Sequence, residues 1–307
     1  MANTPQPPTP TTDIPALPRR AETTHKVQVG RVALIAGSRG MSGAACLAAV
    51  GALRGGTGLV RVLTPACVQP IVAASEPCLM TVALPETEAG QIARAAWPVI
   101  RDGWLGWTDV VALGPGLGQS NDMAAVIGNV LEGFAGPLVI DADGLNNLAN
   151  VGPKVWSPRH KPPTVLTPHP GELNRLLHGA GMEKLAGDND QARLAAAHAY
   201  ARVSQCTVVL KGHRTVVCTA DQAYVNTTGN PGMATGGMGD VLTGLLAALL
   251  GQGLGAFDAA RLAVYCHGLA ADRCAKQIGP VGYLARDVAE MLPAALAQAS
   301  KSKIGFK

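Results

Sequence analysis

The chain has 307 residues, enough for one large α/β domain with a buried core. Hydrophobic residues make up 48% and charged residues 15%, a globular composition, and no charge-free apolar run reaches the length of a membrane span. The net charge of +4 is spread along the chain without a Lys/Arg run, which argues against nucleic acid and suits an anionic small molecule.

Residues 1–26 hold six prolines among Thr and Gln and lack the apolar core of a secretory signal, so a disordered tail is expected there, with residues 27–307 forming a single domain. Arg31–Ala36 is a short apolar run ending at Gly37, as in a buried parallel strand. Ser42 is expected to cap a helix over Gly43–Leu53, closed by Gly55 and Gly56. Strands are predicted at Leu59–Leu63, Leu79–Leu84, Asp109–Leu113, Leu138–Ile140, Val165–Thr167 and Thr207–Leu210, with a helix over Asn121–Leu131. Arg214–Thr219 and Gln222–Asn226 read as a hairpin turning at Asp221, and helices over Asp240–Leu250, Ala259–Gln277 and Ala285–Ala297 close the chain. Strands alternating with helices predict a mostly parallel central sheet with helices on both faces.

The seven cysteines form no CxxC pair, which predicts free thiols in a cytoplasmic protein and neither a disulfide framework nor a zinc site. His267, in an apolar helical stretch, reads as a core histidine, and Trp97, Trp104 and Trp107 as packing or a subunit contact; a homo-oligomer is expected.

The segment Asn230–Gly244, NPGMATGGMGDVLTG, carries the most chemistry. Gly236, Gly237 and Gly239 precede a helix whose free N–H groups and positive dipole end can close around an anion such as a phosphoryl group in transfer. Asp240 stands at that mouth, where it can take a proton from a hydroxyl. A lone GxGD also serves as a simple turn and cap, so its weight comes from its context. The chain has no GxxxxGK[ST] loop, so a nucleoside triphosphate would be bound without one.

That context is specific. NPGMATGGMGDVLTG resembles the signature of the NAD(P)H-hydrate dehydratases, members of the ribokinase-like superfamily. GSRGMSGAACLAAVGALRGGTGLVRV (Gly37–Val62), LGPGLG (Leu113–Gly118), VIDADGLNNL (Val139–Leu148), TPHPGEL (Thr167–Leu173) and LKGHRT (Leu210–Thr215) agree with the family in order and spacing. The resemblance covers residues 27–298 and implies a ribokinase-like α/β fold. The implied reaction is the ADP- or ATP-dependent dehydration of the S form of hydrated NADH and NADPH. The nucleotide phosphorylates the ring hydroxyl, phosphate leaves, and the double bond returns. Mg²⁺ would be the cofactor, and a separate epimerase would act in the same pathway.

By the same resemblance Asp240 is the catalytic base and touches the substrate, and Ala44, Gly118 and His169 line the hydrated dinucleotide. Lys211, Gly212, His213, Arg214 and Thr215 border the nucleotide with Gly236, Gly237 and Gly239, and Glu172 reaches a metal through water. Lys211 and Arg214 are expected to supply positive charge. Asp141, Asp143 and Asn146 follow a strand, as polar site residues or as a helix cap, and carry no assigned role. Met238 departs from the family, which has a small polar residue there. The alternative reading is a ribokinase-like small-molecule kinase that stops at a stable phosphate ester.

Overall fold

Val32 and Leu34 of strand β1 (Arg31–Ile35) are buried on one side of the sheet, Ala33 and Ile35 on the other, the period-two alternation of a strand covered on both faces. The structure is a computed structural model and describes residues 6–153, 163–187 and 189–301. Eight more strands follow: β2 (Leu59–Pro65), β3 (Met80–Leu84), β4 (Val110–Leu113), β5 (Leu138–Ile140), β6 (Thr164–Leu166), β7 (Thr207–Leu210), β8 (Val216–Cys218) and β9 (Ala223–Val225). Their order is β3-β2-β1-β4-β5-β6-β7-β8-β9. Neighbours from β3 to β7 run parallel, and β8 and β9 add an antiparallel edge.

The described helices are α1 (Ser42–Arg54), α2 (Gln69–Ser75), α3 (Trp97–Gly103), α4 (Asn121–Gly133), α5 (Ala142–Val151), α6 (Pro170–Gly179), α7 (Asp190–Ser204), α8 (Met238–Gly251), α9 (Ala256–Gln277) and α10 (Ala285–Lys301). Val32, Val60, Val110 and Val139 share a core with α1, α8, α9 and α10. On the opposite face Ile35, Val111, Leu138 and Leu210 pack with α4, α5, α6 and α7. Among the described residues no helix is long and apolar enough to cross a membrane.

Several local expectations are corrected. Met41, not Ser42, holds the N-cap position of α1, and it makes no side-chain cap. The first hairpin strand is only Val216–Cys218, because Arg214 turns the chain at φ +51°. Helices α2, α3 and α7 have no counterpart among the predicted elements, and α5 was open only as the alternative helix cap over Asp141, Asp143 and Asn146. In α7, for example, the alternation of Ala with Arg, His and Tyr leaves only a weak apolar stripe.

The disordered tail is also corrected, for residues 6–26. Thr11 donates its N–H to Ala223 O at 2.8 Å and bridges Tyr224 in parallel. Arg261 Nη1 donates to Asp13 O at 2.6 Å, and the Arg20 guanidinium bonds Gly56 O and Gln252 Oε1. Pro15 is buried, and Ile14 and Leu17 pack against the core. The physical reason is that β9 is a sheet edge whose carbonyls lack a neighbour, and a proline-stiffened segment loses little entropy in lying along it.

The three Trp residues make packing contacts within the chain. The Arg61 guanidinium lies 3.9 Å from the ring centroid of Trp104 and 4.0 Å from that of Trp107, and Trp97 packs against Gly133. All seven cysteines are free.

Candidate active site

Helices α1 and α8 meet through glycines. A Cβ on Gly51 would fall 2.4 Å from Val241 O, and one on Gly244 only 1.9 Å from Ala48 O, so only glycine admits this approach. Gly237 takes the N-cap of α8 with φ +89°, where a Cβ would strike Leu47, and Asp240 lies in the first turn. Gly236 leads into that turn and is exposed. The first bond of the helix runs from Val241 N to Gly237 O at 3.1 Å, so the N–H groups of Met238, Gly239 and Asp240 have no acceptor within α8.

Beneath Gly239 sits a charged cluster drawn from three strand ends. Lys211, past β7, donates from Nζ to Asp141 Oδ1 at 2.5 Å and lies 3.7 Å from Glu172 Oε2. Asp141, past β5, also accepts the Thr243 hydroxyl at 2.7 Å. Burial pulls the Lys211 ammonium down, but Asp141 and Glu172 outweigh it and hold the lysine above its usual range. Burial, with the Asp141 charge added and Lys211 opposing, pushes Asp240 up to about 7. A carboxyl in that range is suited to exchange a proton near neutral pH.

Lys211–Thr215 and Gly239, far apart in sequence, line one cavity of about 830 Å³ with Met238, Asn226–Asn230, Met233 and His267. A Cβ on Gly239 would lie 3.4 Å from Lys211 Nζ. Gly212 has φ +145° and is backed by the Arg193 guanidinium, and Thr215 Oγ1 donates to Gly212 O at 3.0 Å. The two cations expected to supply positive charge both have carboxylate partners, Lys211 in Asp141 and Arg214 in Asp190 at 2.6 Å. His267 is buried in the cavity wall, and burial lowers it to about 4, so it is neutral. Met238, the departure in the glycine loop, turns its side chain into the core.

The remaining expected residues, Ala44, Gly118 and His169, do not line that cavity and lie on separate turns. Ala44, half-buried in the first turn of α1, faces Gly116, whose Cβ would lie 3.1 Å from the Ala44 methyl. Gly118 has φ +75°, donates its N–H to Asp143 Oδ2 at 2.8 Å and accepts from Asn147 Nδ2 at 3.1 Å. Asp141 and Asp143, two residues apart at the start of α5, therefore bond to Lys211 and Thr243 on one side and to the Gly118 turn on the other. His169 caps α6. Its Nδ1 accepts from Gly171 N at 2.9 Å, and its own N–H donates to Glu172 Oε2 at 2.7 Å, a capping box.

A divalent cation finds little prepared ground here. Among the described residues no three His, Cys, Asp or Glu side chains converge. Glu172, expected to reach a metal through water, is buried and committed to the His169 N–H, with Lys211 already beside it as counter-charge. These residues do not build a metal cage.

Asp141, Asp143 and Asn146 carried no assigned role from the sequence, and Thr243 was not singled out there. The doubled acid in VIDADGLNNL was visible, but a cap and a site residue look alike until their partners are known.

The family model described as NAD(P)H-hydrate dehydratase matches residues 32–294. A bifunctional NAD(P)H-hydrate repair enzyme of Moorella thermoacetica is 45% identical over 90% of this chain and 51% of its own length. The chain thus spans about half the length of the curated relatives it first matches. An ADP-dependent (S)-NAD(P)H-hydrate dehydratase of Xanthomonas campestris is 35% identical over 88% of this chain and 89% of its own. Among solved structures, an ADP/ATP-dependent NAD(P)H-hydrate dehydratase of Bacillus subtilis, co-crystallised with ATP and Mg²⁺, superposes with a TM-score of 0.76 at 29% identity, over 92% of this chain and 95% of that one. A ribokinase of Thermotoga maritima shares the fold alone, with a TM-score of 0.53 at 15% identity over 87% and 99% of the two chains. The fold is ribokinase-like.

Proposed function

The chain belongs to the NAD(P)H-hydrate dehydratase family, and from that membership we propose that it restores NADH and NADPH from the S form of their hydrates at the expense of ADP or ATP. The observation that carries the reading is the placement of Asp240. It stands at the mouth of α8, one residue past Gly239, which lines a nucleotide-sized cavity together with Lys211–Thr215.

The chemistry follows from that placement. Hydroxide is a poor leaving group and phosphate a good one. Asp240 takes the proton of the ring hydroxyl as its oxygen attacks the terminal phosphorus of the nucleotide. The bridging P–O bond breaks, releasing AMP from ADP or ADP from ATP. The free N–H groups at the start of α8 receive the charge on the phosphoryl oxygens, with Lys211 directly below. Phosphate then leaves with the electrons of its C–O bond, the neighbouring carbon gives up a proton, and the double bond returns. Ala44, Gly118 and His169 contact the dinucleotide, and the Lys211–Thr215 turn borders the nucleotide. Any Mg²⁺ would arrive bound to the nucleotide, where it would neutralise phosphate charge. Free thiols suit a cytoplasmic setting.

One assay tests the reading. The protein is incubated with hydrated NADH, Mg²⁺ and ADP or ATP in turn, and the return of NADH absorbance is followed. Recovery with either nucleotide supports it. A phosphorylated product that accumulates without recovery establishes instead a kinase that stops at the ester.

A further inference from the structure

Asp141 occupies the N-cap position of α5 with extended backbone angles, yet its side chain makes no cap bond. Its two oxygens turn to other elements, Oδ1 to Lys211 Nζ at 2.5 Å and Oδ2 to Thr243 Oγ1 at 2.7 Å, and the residue is 1% exposed. Thr243 follows Asp240 by three residues, so the two stand one turn apart on the same side of α8.

The surrounding backbone is built around this placement. Ala142, the next residue, is a non-glycine in the left-handed region at φ +47°, a conformation that costs about 1–2 kcal/mol. Across from it, Gly114 lets the Asp141 carbonyl approach to where a Cβ would be 1.8 Å away. A helix cap requires neither feature, since any cap residue reaches its own helix from ordinary extended angles.

We propose that Asp141 is a positioning residue, which locks Lys211 and the first turns of α8 to the end of β5 so that Asp240 is presented to the acceptor hydroxyl in one orientation. This rests on Asp240 being the base, as argued above. Two properties of Asp141 are used. Its shape holds Thr243, and through it the helix that carries Asp240. Its charge compensates Lys211, which otherwise has Glu172 at 3.7 Å, and also acts on Asp240 itself. Without that charge Lys211 is left to be shared between Glu172 and Asp240.

The two properties separate in variants of the full chain, assayed for NADH recovery with saturating nucleotide. Asp141→Asn removes the charge. It is expected to lower kcat about 10–100-fold while the KM for hydrated NADH moves less than about threefold. The acid limb of its kcat/KM profile should move to lower pH, because the carboxylate that raises Asp240 is gone while Lys211 remains. Thr243→Val keeps the charge and removes the tether. It is expected to lower kcat about 3–10-fold with the acid limb in place, and Thr243→Ser to recover most of that loss. Melting temperature and ADP binding by calorimetry report folding independently of turnover. A folded Asp141→Asn variant with wild-type kcat and acid limb overturns the proposal. If that variant does not fold, a folded Thr243→Val with wild-type kcat overturns it. Failure of the wild-type chain to recover NADH is a different result, which overturns the dehydratase reading and this proposal with it.

Discussion

His169 accepts the backbone N–H of Gly171 on its Nδ1 at 2.9 Å, and that bond decides which ring nitrogen can meet a substrate. With Nδ1 an acceptor, the proton of the neutral ring sits on Nε2, 3.4 Å from Glu172 Oε1. Under the proposed function His169 therefore meets the substrate as a donor, and the base remains Asp240. His169→Asn keeps a cap acceptor, so stability should hold while the KM for hydrated NADH rises about tenfold and kcat changes little. His169→Ala should show the same KM effect and lose about 1 kcal/mol of stability with the cap. Steady-state kinetics and urea denaturation of the two variants check this.

Asp240→Asn should abolish turnover and keep nucleotide affinity. The amide preserves size but accepts no proton at neutral pH, and loss of a general base costs on the order of 10²–10⁴ in rate. The α8 N–H groups are untouched. Calorimetry should show wild-type or slightly tighter ADP and ATP binding while NADH recovery disappears.

The same substitution should stabilise the protein, with a defined pH dependence. Asp240 is pushed up to about 7 in the folded chain. For a group raised on folding, the stability present below its unfolded value is lost as pH rises through the folded value. Below about pH 4 the carboxyl is protonated in both states and wild type and Asp240→Asn should match. The variant's advantage should grow between pH 4 and 7 and level off above, reaching about 2 kcal/mol or more. Denaturant titrations at pH 4 and pH 8 read the difference, and a pH-independent gap would show that the side chain is not titrating as described.

Gly244→Ala offers a test of packing against propensity. Within a helix the exchange normally gains about 1 kcal/mol. Here the added methyl would meet Ala48 O at 1.9 Å, so α1 and α8 must separate. The expected outcome is a loss of about 2–4 kcal/mol, seen in the melting temperature, with weakened nucleotide binding because both helix mouths move.

Removing residues 1–20 should lower the melting temperature while the site keeps its activity. The deletion uncovers the β9 edge, breaks the Arg261 bond to Asp13 O and exposes the surface under Ile14 and Leu17. A loss of about 1–3 kcal/mol and concentration-dependent self-association through the bared edge are expected, measured by denaturation and light scattering.

The sheet was legible in the sequence because each strand is an apolar run whose alternate residues face opposite cores, as Val32 and Ala33 do. The glycine loop before α8 was legible too, because positive φ at Gly237 and an N–H mouth are local properties of the chain. The partners of charged groups were not. Lys211 and Asp141 are 70 residues apart, and Asp141 and Thr243 are 102 apart, and no periodicity links them. Arg214 read as positive charge for an anionic ligand until folding set Asp190 beside it, and the proline-rich segment looked unstructured until the edge of β9 stood next to it. Local sequence decided which segments are strands, helices and anion-binding turns, since those follow from side-chain period and backbone freedom. Tertiary structure alone decided which charges are spent on one another and how far Asp240 is raised, since burial and Coulomb interactions depend on distances that only the packed chain defines.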